Sequence, residues 1–511
     1  MPFRGQLLLT DDDLAGELGQ GGRLNSLLMA AQLQQGNASL FDSMCFALDP
    51  DLVDTVELMT HGYQFRTGSG TADGKGVEAA TEWLNTLRQL TAGHCVVAMP
   101  YADADLSVLS KVHNGDQPDT DLVTTAVSGA AVIQRILGVQ PQRGVLWPEG
   151  TMDTKTLATL SSTGVKTILT ESKQLQSDGP VSTGVSLSGT ELRAQPVDSL
   201  LASALAGTPA VAAQNGLAAL AFRAGLGQSA QLLGQLLLAP PRRWNVPLAE
   251  LQNLLKTIGD YTTAGLVAPK TLQQFLATPA GSQATMTPTA KDQTSTGTDD
   301  LSESISAVDA TTAGLTAAMT VDSTSQVRPA DLVSPVRTGL VRAAAVAWQD
   351  NAGGSPAATF NARAELASLT DRVAALPPSQ TLSLASGTSP LPVLVSNSLP
   401  VAMTVRVALL NNAGLRSSEK DQAQNRLIPA NGSVPQYIPI EALRAGRFSV
   451  DVALTTPSGN PLGAPARFEL TSNDFGIITV IVTASAGGAL LLLSSRRIYR
   501  RIKESKAQRG A

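Results

Sequence analysis

The 511-residue chain is poor in the residues from which metal centres and disulfide frameworks are built. Its two cysteines, Cys45 and Cys95, leave room for at most one disulfide, a bond that persists only in an oxidising compartment. Each sits early in an apolar, strand-like run, so the pair could be neighbours in one sheet; two buried thiols are the commoner outcome and the expected one. Three histidines occur, His61, His94 and His113, and no two are spaced to share a helix face. Metal-dependent deacetylation therefore lacks its ligands, and neither a metal nor a cofactor is expected. The sequence contains no GxxxxGK[ST] run and no GxSxG elbow, which leaves nucleotide hydrolysis and serine esterase chemistry unsupported. Charge is sparse as well, at 15% of residues.

The longest uncharged apolar stretch comes near the end. From Gly476 to Ser495 no residue is charged, and about 20 residues at the helical rise match the thickness of a bilayer's hydrocarbon core. The expectation is a single transmembrane helix. Arg496, Arg497, Arg500, Arg501, Lys503, Lys506 and Arg509 follow it, against one acid, Glu504. Short basic flanks stay cytoplasmic, so residues before Asp474 are expected to face outward and 496–511 to form a cytoplasmic tail. Removing those seven basic residues and one acid from totals of 37 and 42 leaves 30 against 41, a net charge of −11 outside. Nucleic acid is then excluded as a partner. The opening "MPFRGQLLLTDDDLAGEL" has no basic stretch followed by an apolar core and cleavage site, so an export signal is expected upstream of it.

Between residues 1 and 280, short apolar runs alternate with helical stretches. The runs are "QLLLT" (6–10), "SMCFAL" (43–48), "CVVAMP" (95–100), "GVLWP" (144–148), "KTILT" (166–170), "LRAQPV" (192–197) and "GQLLLAP" (234–240). Continuous rather than alternating, they fit parallel strands buried on both faces. The expected fold class is α/β plus all-β, beginning with an incomplete (β/α) barrel of about seven strands; an open doubly wound sheet is the alternative. Residues 281–304 are rich in Ser, Thr, Gly and Pro and read as a linker or loop. Helical spacing returns over 305–375, in segments able to pack on the barrel. Over 376–472 the period shortens to strands separated by turns such as "SGNP", the pattern of a β-sandwich. The span (476–495) and the basic tail (496–511) complete the chain.

In such a barrel, residues just past the strand C-termini converge on one rim. There the sequence places Asp11, Asp49, Asp51, Tyr101, Asp103, Asp105, Trp147, Glu149, Glu171, Asp198, Arg242, Arg243 and Trp244. An acidic and aromatic rim suits sugars: aromatic faces stack on pyranose rings, and carboxylates bind hydroxyls or serve as acid and base. The candidate catalytic carboxylates are Asp49 or Asp103 with Glu149; Asp49 and Glu149 adjoin Pro50 and Pro148, and Asp103 follows Pro100 by three residues, prolines that stiffen the backbone. Candidate glycan-binding residues are Tyr101, Trp147, Asp198, Arg243 and Trp244. Each has a structural alternative: an Asp after a strand is an ordinary N-cap, Trp147 can be barrel core, and Arg243 can pair with a rim acid.

The segments "CFALDPDLVDTVELMTHGY", "VVAMPYADADL", "GVLWPEG", "LLLAPPRRW" and "SLASGTSPLPVLVSNSLPVAMTVRV", with the terminal "RRIYRRI", resemble a family of actinobacterial cell-envelope proteins of unknown function. Members are exported, anchored by one C-terminal helix and encoded beside the lipid II flippase. They usually carry a signal peptide and another β-rich domain upstream. The resemblance implies a barrel similar to glycoside hydrolase and deacetylase barrels, an immunoglobulin-like sandwich and a role at the cell wall. No catalytic residues are established for the family, so none is carried over.

The expected function is that of a membrane-anchored, extracytoplasmic protein that binds glycan or a partner without catalysis, as an accessory of cell-wall assembly. Its expected partners are the membrane, cell-wall glycan and membrane proteins of peptidoglycan synthesis. The alternative is a glycoside hydrolase that uses the rim carboxylates.

Overall fold

The computed structural model describes residues 7–112, 122–150, 152–178, 181, 183–227, 235–287, 296–384, 388–410, 414–443, 446–472 and 476–507. His113 lies outside them. The chain divides into two compact units, one of Met1–Ala310 with Ser334–Arg363, the other of Thr311–Val333 with Ala364–Ala511.

The first unit is mixed α/β with several sheets and a half-barrel. Strand β1 (Leu7–Leu9) lies parallel to β3 (Tyr63–Thr67), which turns back into β4 (Gly70–Asp73). Strand β2 (Cys45–Leu48) lies parallel to β5 (Cys95–Ala98), in the register Cys45 to Cys95 through Leu48 to Ala98. A further sheet combines β6 (Val145–Leu146), β7 (Thr167–Glu171), β8 (Leu175–Gln176), β9 (Val185–Leu187), β10 (Arg193–Val197) and β11 (Gln283–Met286), in the order β6-β7-β10-β9-β11-β8. Its β6-β7-β10 portion is parallel. Helices cover these strands for ordinary reasons of spacing. Trp83, Leu84, Leu87 and Leu90 recur every three or four residues along Val77–Thr91, and all four are buried against Val53, Val56 and Met59 of helix Pro50–Met59. Pro50 starts that second helix at a position where its missing N–H costs nothing.

The expected incomplete barrel of about seven strands takes the form of this half-barrel, and one of the seven expected strands is absent from it. Residues 235–240, within the run expected as the last strand, form no strand. Pro240 and Pro241 cannot donate to a ladder, and Leu236, Leu237 and Leu238 are used instead to pack against three separate apolar clusters. The Asp198 N–H still donates to the Leu237 carbonyl, at 2.9 Å. Within the stretch read as a linker, β11 pairs with both β8 and β9, and a helix begins at Thr296.

The second unit contains two sheets. In one, Ala402–Leu410, Gly446–Thr455 and Pro461–Ser472 run antiparallel, flanked by Met319–Thr320 and Leu382–Leu384. In the other, Thr388–Asn397 pairs with Val373–Leu376 and with Gly432–Ala442, which in turn pairs with Leu415–Arg416. Alternation decides which residues enter the core: Met403, Val405, Val407 and Leu409 of one strand are buried, as are Leu391, Val393 and Val395 of another.

Gly476–Ala507 is one helix of 32 residues. No helix is long and apolar enough to cross a membrane among the described residues. This finding overturns the expected transmembrane helix and, with it, the single-pass placement, the cytoplasmic tail and the membrane as partner. Residues 476–480 of the expected span fall outside the described side chains, and the helix continues without a break into the basic segment.

The expectation of free thiols is also corrected. Cys45 and Cys95 form a disulfide, with Cα atoms 4.5 Å apart and 50 residues apart in sequence. Their in-register pairing on β2 and β5 brings them together. Closing a loop of that length restricts the unfolded chain and contributes about 2–4 kcal/mol. Reduction, or Cys45→Ser with Cys95→Ser, should lower the unfolding free energy of the first unit by that amount in a denaturant titration. An unchanged midpoint under reducing conditions would contradict the cross-link.

Candidate functional site

The site lies at the C-terminal ends of the parallel pair β2 and β5 and of β6, which deliver the following residues to neighbouring positions. Asp49 follows β2 and caps helix Pro50–Met59, accepting from the Asp51 N–H at 2.9 Å. The same oxygen accepts from the Ala102 N–H at 2.9 Å, so one carboxylate ties the end of β2 to the turn after β5. That turn, Tyr101–Asp103, holds two consecutive non-glycine residues in left-handed conformations, Ala102 at φ 59° and Asp103 at φ 45°. Each costs about 1–3 kcal/mol and persists only where its surroundings enforce it. Here the enforcing groups are the Asp49 carboxylate and the charge that awaits Asp103.

That charge is Arg242. Its guanidinium carbon sits 4.1 Å above the Trp147 ring. Nε donates to a Glu149 oxygen at 2.8 Å, a second nitrogen donates to the Trp147 carbonyl at 2.9 Å, and Nη1 lies 3.3 Å from Asp103 Oδ1. Arg242 and Asp103 are largely shielded from solvent, whereas 41% of the Glu149 side chain is exposed. Trp147 packs with the apolar cluster of Val97, Val145, Leu169 and Val197, so it is both core and the floor of the site.

A second arginine closes the other side. Arg342 grips Asp51 through Nε, at 3.0 and 2.9 Å to its two oxygens, and through a terminal nitrogen at 2.6 Å. It also donates to the Tyr101 hydroxyl at 3.1 Å. The segment that carries it is anchored to the rim by the Asp105 N–H, which donates to the Ala344 carbonyl at 2.8 Å, and is braced internally by Trp348 Nε1, which donates to the Arg342 carbonyl at 2.6 Å.

These contacts set the protonation behaviour. Burial, then the neighbouring Asp51 and Asp103 charges, raise the Asp49 carboxyl well above its usual range, partly offset by the two N–H donors. Burial pushes Asp103 up from 3.8 to about 6, with Arg242 pulling it down and Glu149 and Asp105 pushing it up. The Tyr101 hydroxyl is raised by burial and by the charge of Asp51. Arg342 is raised, because the attraction and hydrogen bonds of Asp51 outweigh its burial.

The structure thus brings together Asp49, Tyr101, Asp103, Trp147 and Glu149 of the residues expected from sequence. The other three are employed differently. Asp198 caps helix Ser199–Leu205 and pairs with Arg223 at 2.9 Å. Trp244 packs with Val246, Leu251 and Leu254 in an apolar cluster. Arg243 is exposed, and the arginine that engages the rim acids is its neighbour Arg242. Arg342 was not among the expected site residues. The one signal for it was its place in the last turn of a helix with apolar spacing, which identifies a helix and not its target. No group of three or more potential metal-ligating His, Cys, Asp or Glu side chains occurs among the described residues.

A titration followed by Trp147 fluorescence should show a midpoint near pH 6, because below it Asp103 is neutral and loses its attraction to Arg242. Arg242→Gln removes the one charge that lowers this value and should move the midpoint higher; Asp103→Asn should abolish it. A midpoint at the ordinary carboxylate value would contradict the burial of Asp103.

Against known proteins, the model of a family described as a family of unknown function (DUF6049) matches residues 9–493. No curated protein matches the sequence. Among solved structures, the chain is similar to a GH57 branching enzyme from Thermococcus kodakaraensis, with a TM-score of 0.46, 11% identity and coverage of 69% of this chain and 83% of that one. It is also similar to a member of the MSP family from C. elegans, with a TM-score of 0.16, 13% identity and coverage of 20% of this chain and 99% of that one. Both scores are too low to bear on fold or function.

Proposed function

The chain belongs to that family of unknown function, and we propose that it is a non-enzymatic glycan-binding protein whose ligand docks at the rim formed by Trp147, Asp103 and Glu149. The observation that carries this reading is the double engagement of Arg242. Acid–base cleavage of a glycosidic bond needs one carboxyl free to donate a proton and another free to attack or to activate water. Here both candidates contact one guanidinium, and Asp49 is committed to two backbone N–H groups. What the rim offers instead is an aromatic face, covered in this structure by Arg242, bordered by polar groups, the usual equipment for holding a sugar ring. A role at the actinobacterial cell envelope, with a gene encoded beside that of the lipid II flippase, belongs to the same proposal. It draws on the sequence resemblance and on the Cys45–Cys95 disulfide, which suits an oxidising compartment.

The glycosidase reading has one observation in its favour, the elevated Asp103 beside Glu149. A single experiment separates the two. The purified full chain is incubated with cell-wall glycan, and both retention and release of reducing ends are followed. Retention without release is expected, weakened at least about tenfold by Trp147→Ala and by Glu149→Gln, a loss typical of removing one central binding group. Circular dichroism confirms folding of each variant. Release of reducing ends that Glu149→Gln abolishes would establish the enzyme instead.

A further inference from the structure

Arg242 itself shows which chemistry the rim accepts. Its cationic group rests on an aromatic face at 4.1 Å, between the carboxylates of Glu149 and Asp103 and under the Trp147 carbonyl. An aromatic ring with anionic walls recognises a positively charged nitrogen, through the ring quadrupole and through charge-assisted hydrogen bonds. The occupant is delivered by residues 235–247, a stretch with neither helix nor strand, so no ladder fixes it in place. Its seating is also incomplete. Asp103 Oδ1 and Arg242 Nη1 are buried 3.3 Å apart without a hydrogen bond between them or to any other group, and such groups gain when a better-fitting donor arrives. The strained Ala102–Asp103 turn, held by the Asp49 carboxylate, aims Asp103 at this position.

We infer that the Trp147–Asp103–Glu149 seat is a recognition site for an amine, filled in cis by Arg242, and that its ligand is a glycan bearing free amino groups, a glucosamine-rich chain. The ligand's ammonium replaces the guanidinium between the two carboxylates, and its ring takes the Trp147 face. Arg242 swings outward and becomes solvated. An N-acetylated chain offers no charge and cannot compete for the seat on equal terms. The inference rests on the glycan-binding reading and adds to it the charge of the ligand and the role of Arg242 as an internal competitor.

The test is calorimetric titration of the full chain at neutral pH with a glucosamine tetramer and with an N-acetylglucosamine tetramer. The wild type should prefer the amine-bearing tetramer at least about tenfold, and Arg242→Gln should bind it several-fold more tightly than the wild type does. Equal affinity for the two tetramers overturns the inference while leaving glycan binding intact. Failure of both tetramers and of cell-wall glycan overturns the glycan reading as well. A lysine-containing peptide bound as tightly as the glucosamine tetramer overturns the assignment to a glycan. The wild-type preference requires no variant, so poor folding of Arg242→Gln leaves the test decisive; tighter binding of that variant to both tetramers alike would also count against the inference.

Discussion

One guanidinium holds the rim together. Arg242 reaches three places at once: the turn after β5 through Asp103, the end of β6 through Glu149 and the Trp147 carbonyl, and the Trp147 ring. Without it, Asp103 would keep its burial and lose the one charge that lowers its pKa. With it, both acids have a cationic partner beside an apolar floor. The same contact explains why the site resembles a catalytic constellation in composition while being chemically occupied.

Arg242 can work this way because the backbone places its partners accurately. The register of β2 against β5 sets Asp49 beside the turn that follows Ala98, and the Asp49 oxygen then holds the Ala102 N–H. The disulfide at the opposite ends of these two strands fixes that register from the other side. Asp51, two residues further on, is pinned by Arg342, so the acids in this small region are divided between two arginines with separate tasks. Exchange of either arginine for lysine would keep the charge and lose the multidentate grip.

Much of this was legible in the chain. Continuous apolar runs such as "CVVAMP" and "KTILT" became buried parallel strands, and the residues just past their ends became Asp49, Tyr101, Asp103, Trp147 and Glu149 of the site. Period and burial govern both of these features, and both are local. Partnership was less legible. Arg242 and Arg243 are chemically identical in sequence, and only the turn that presents them decides which faces the acids. Arg342 lies 291 residues from Asp51, a separation no local pattern encodes. The run at 234–240 read as a strand because its leucines are continuous, yet those leucines serve three clusters and leave no ladder. At the C-terminus the uncharged run measured up to a bilayer, but among the described residues no helix is long and apolar enough to cross one, and this helix continues without a break into arginines.

The most direct test of this account is the Arg242 Nε–H resonance in a nitrogen-resolved NMR spectrum of the full chain. A proton donated to Glu149 at 2.8 Å in a shielded site should exchange slowly with water and shift on Glu149→Gln, while the exposed Arg243 exchanges fast. An Arg242 signal that exchanges as freely as that of Arg243, and that ignores the Glu149 substitution, would contradict it.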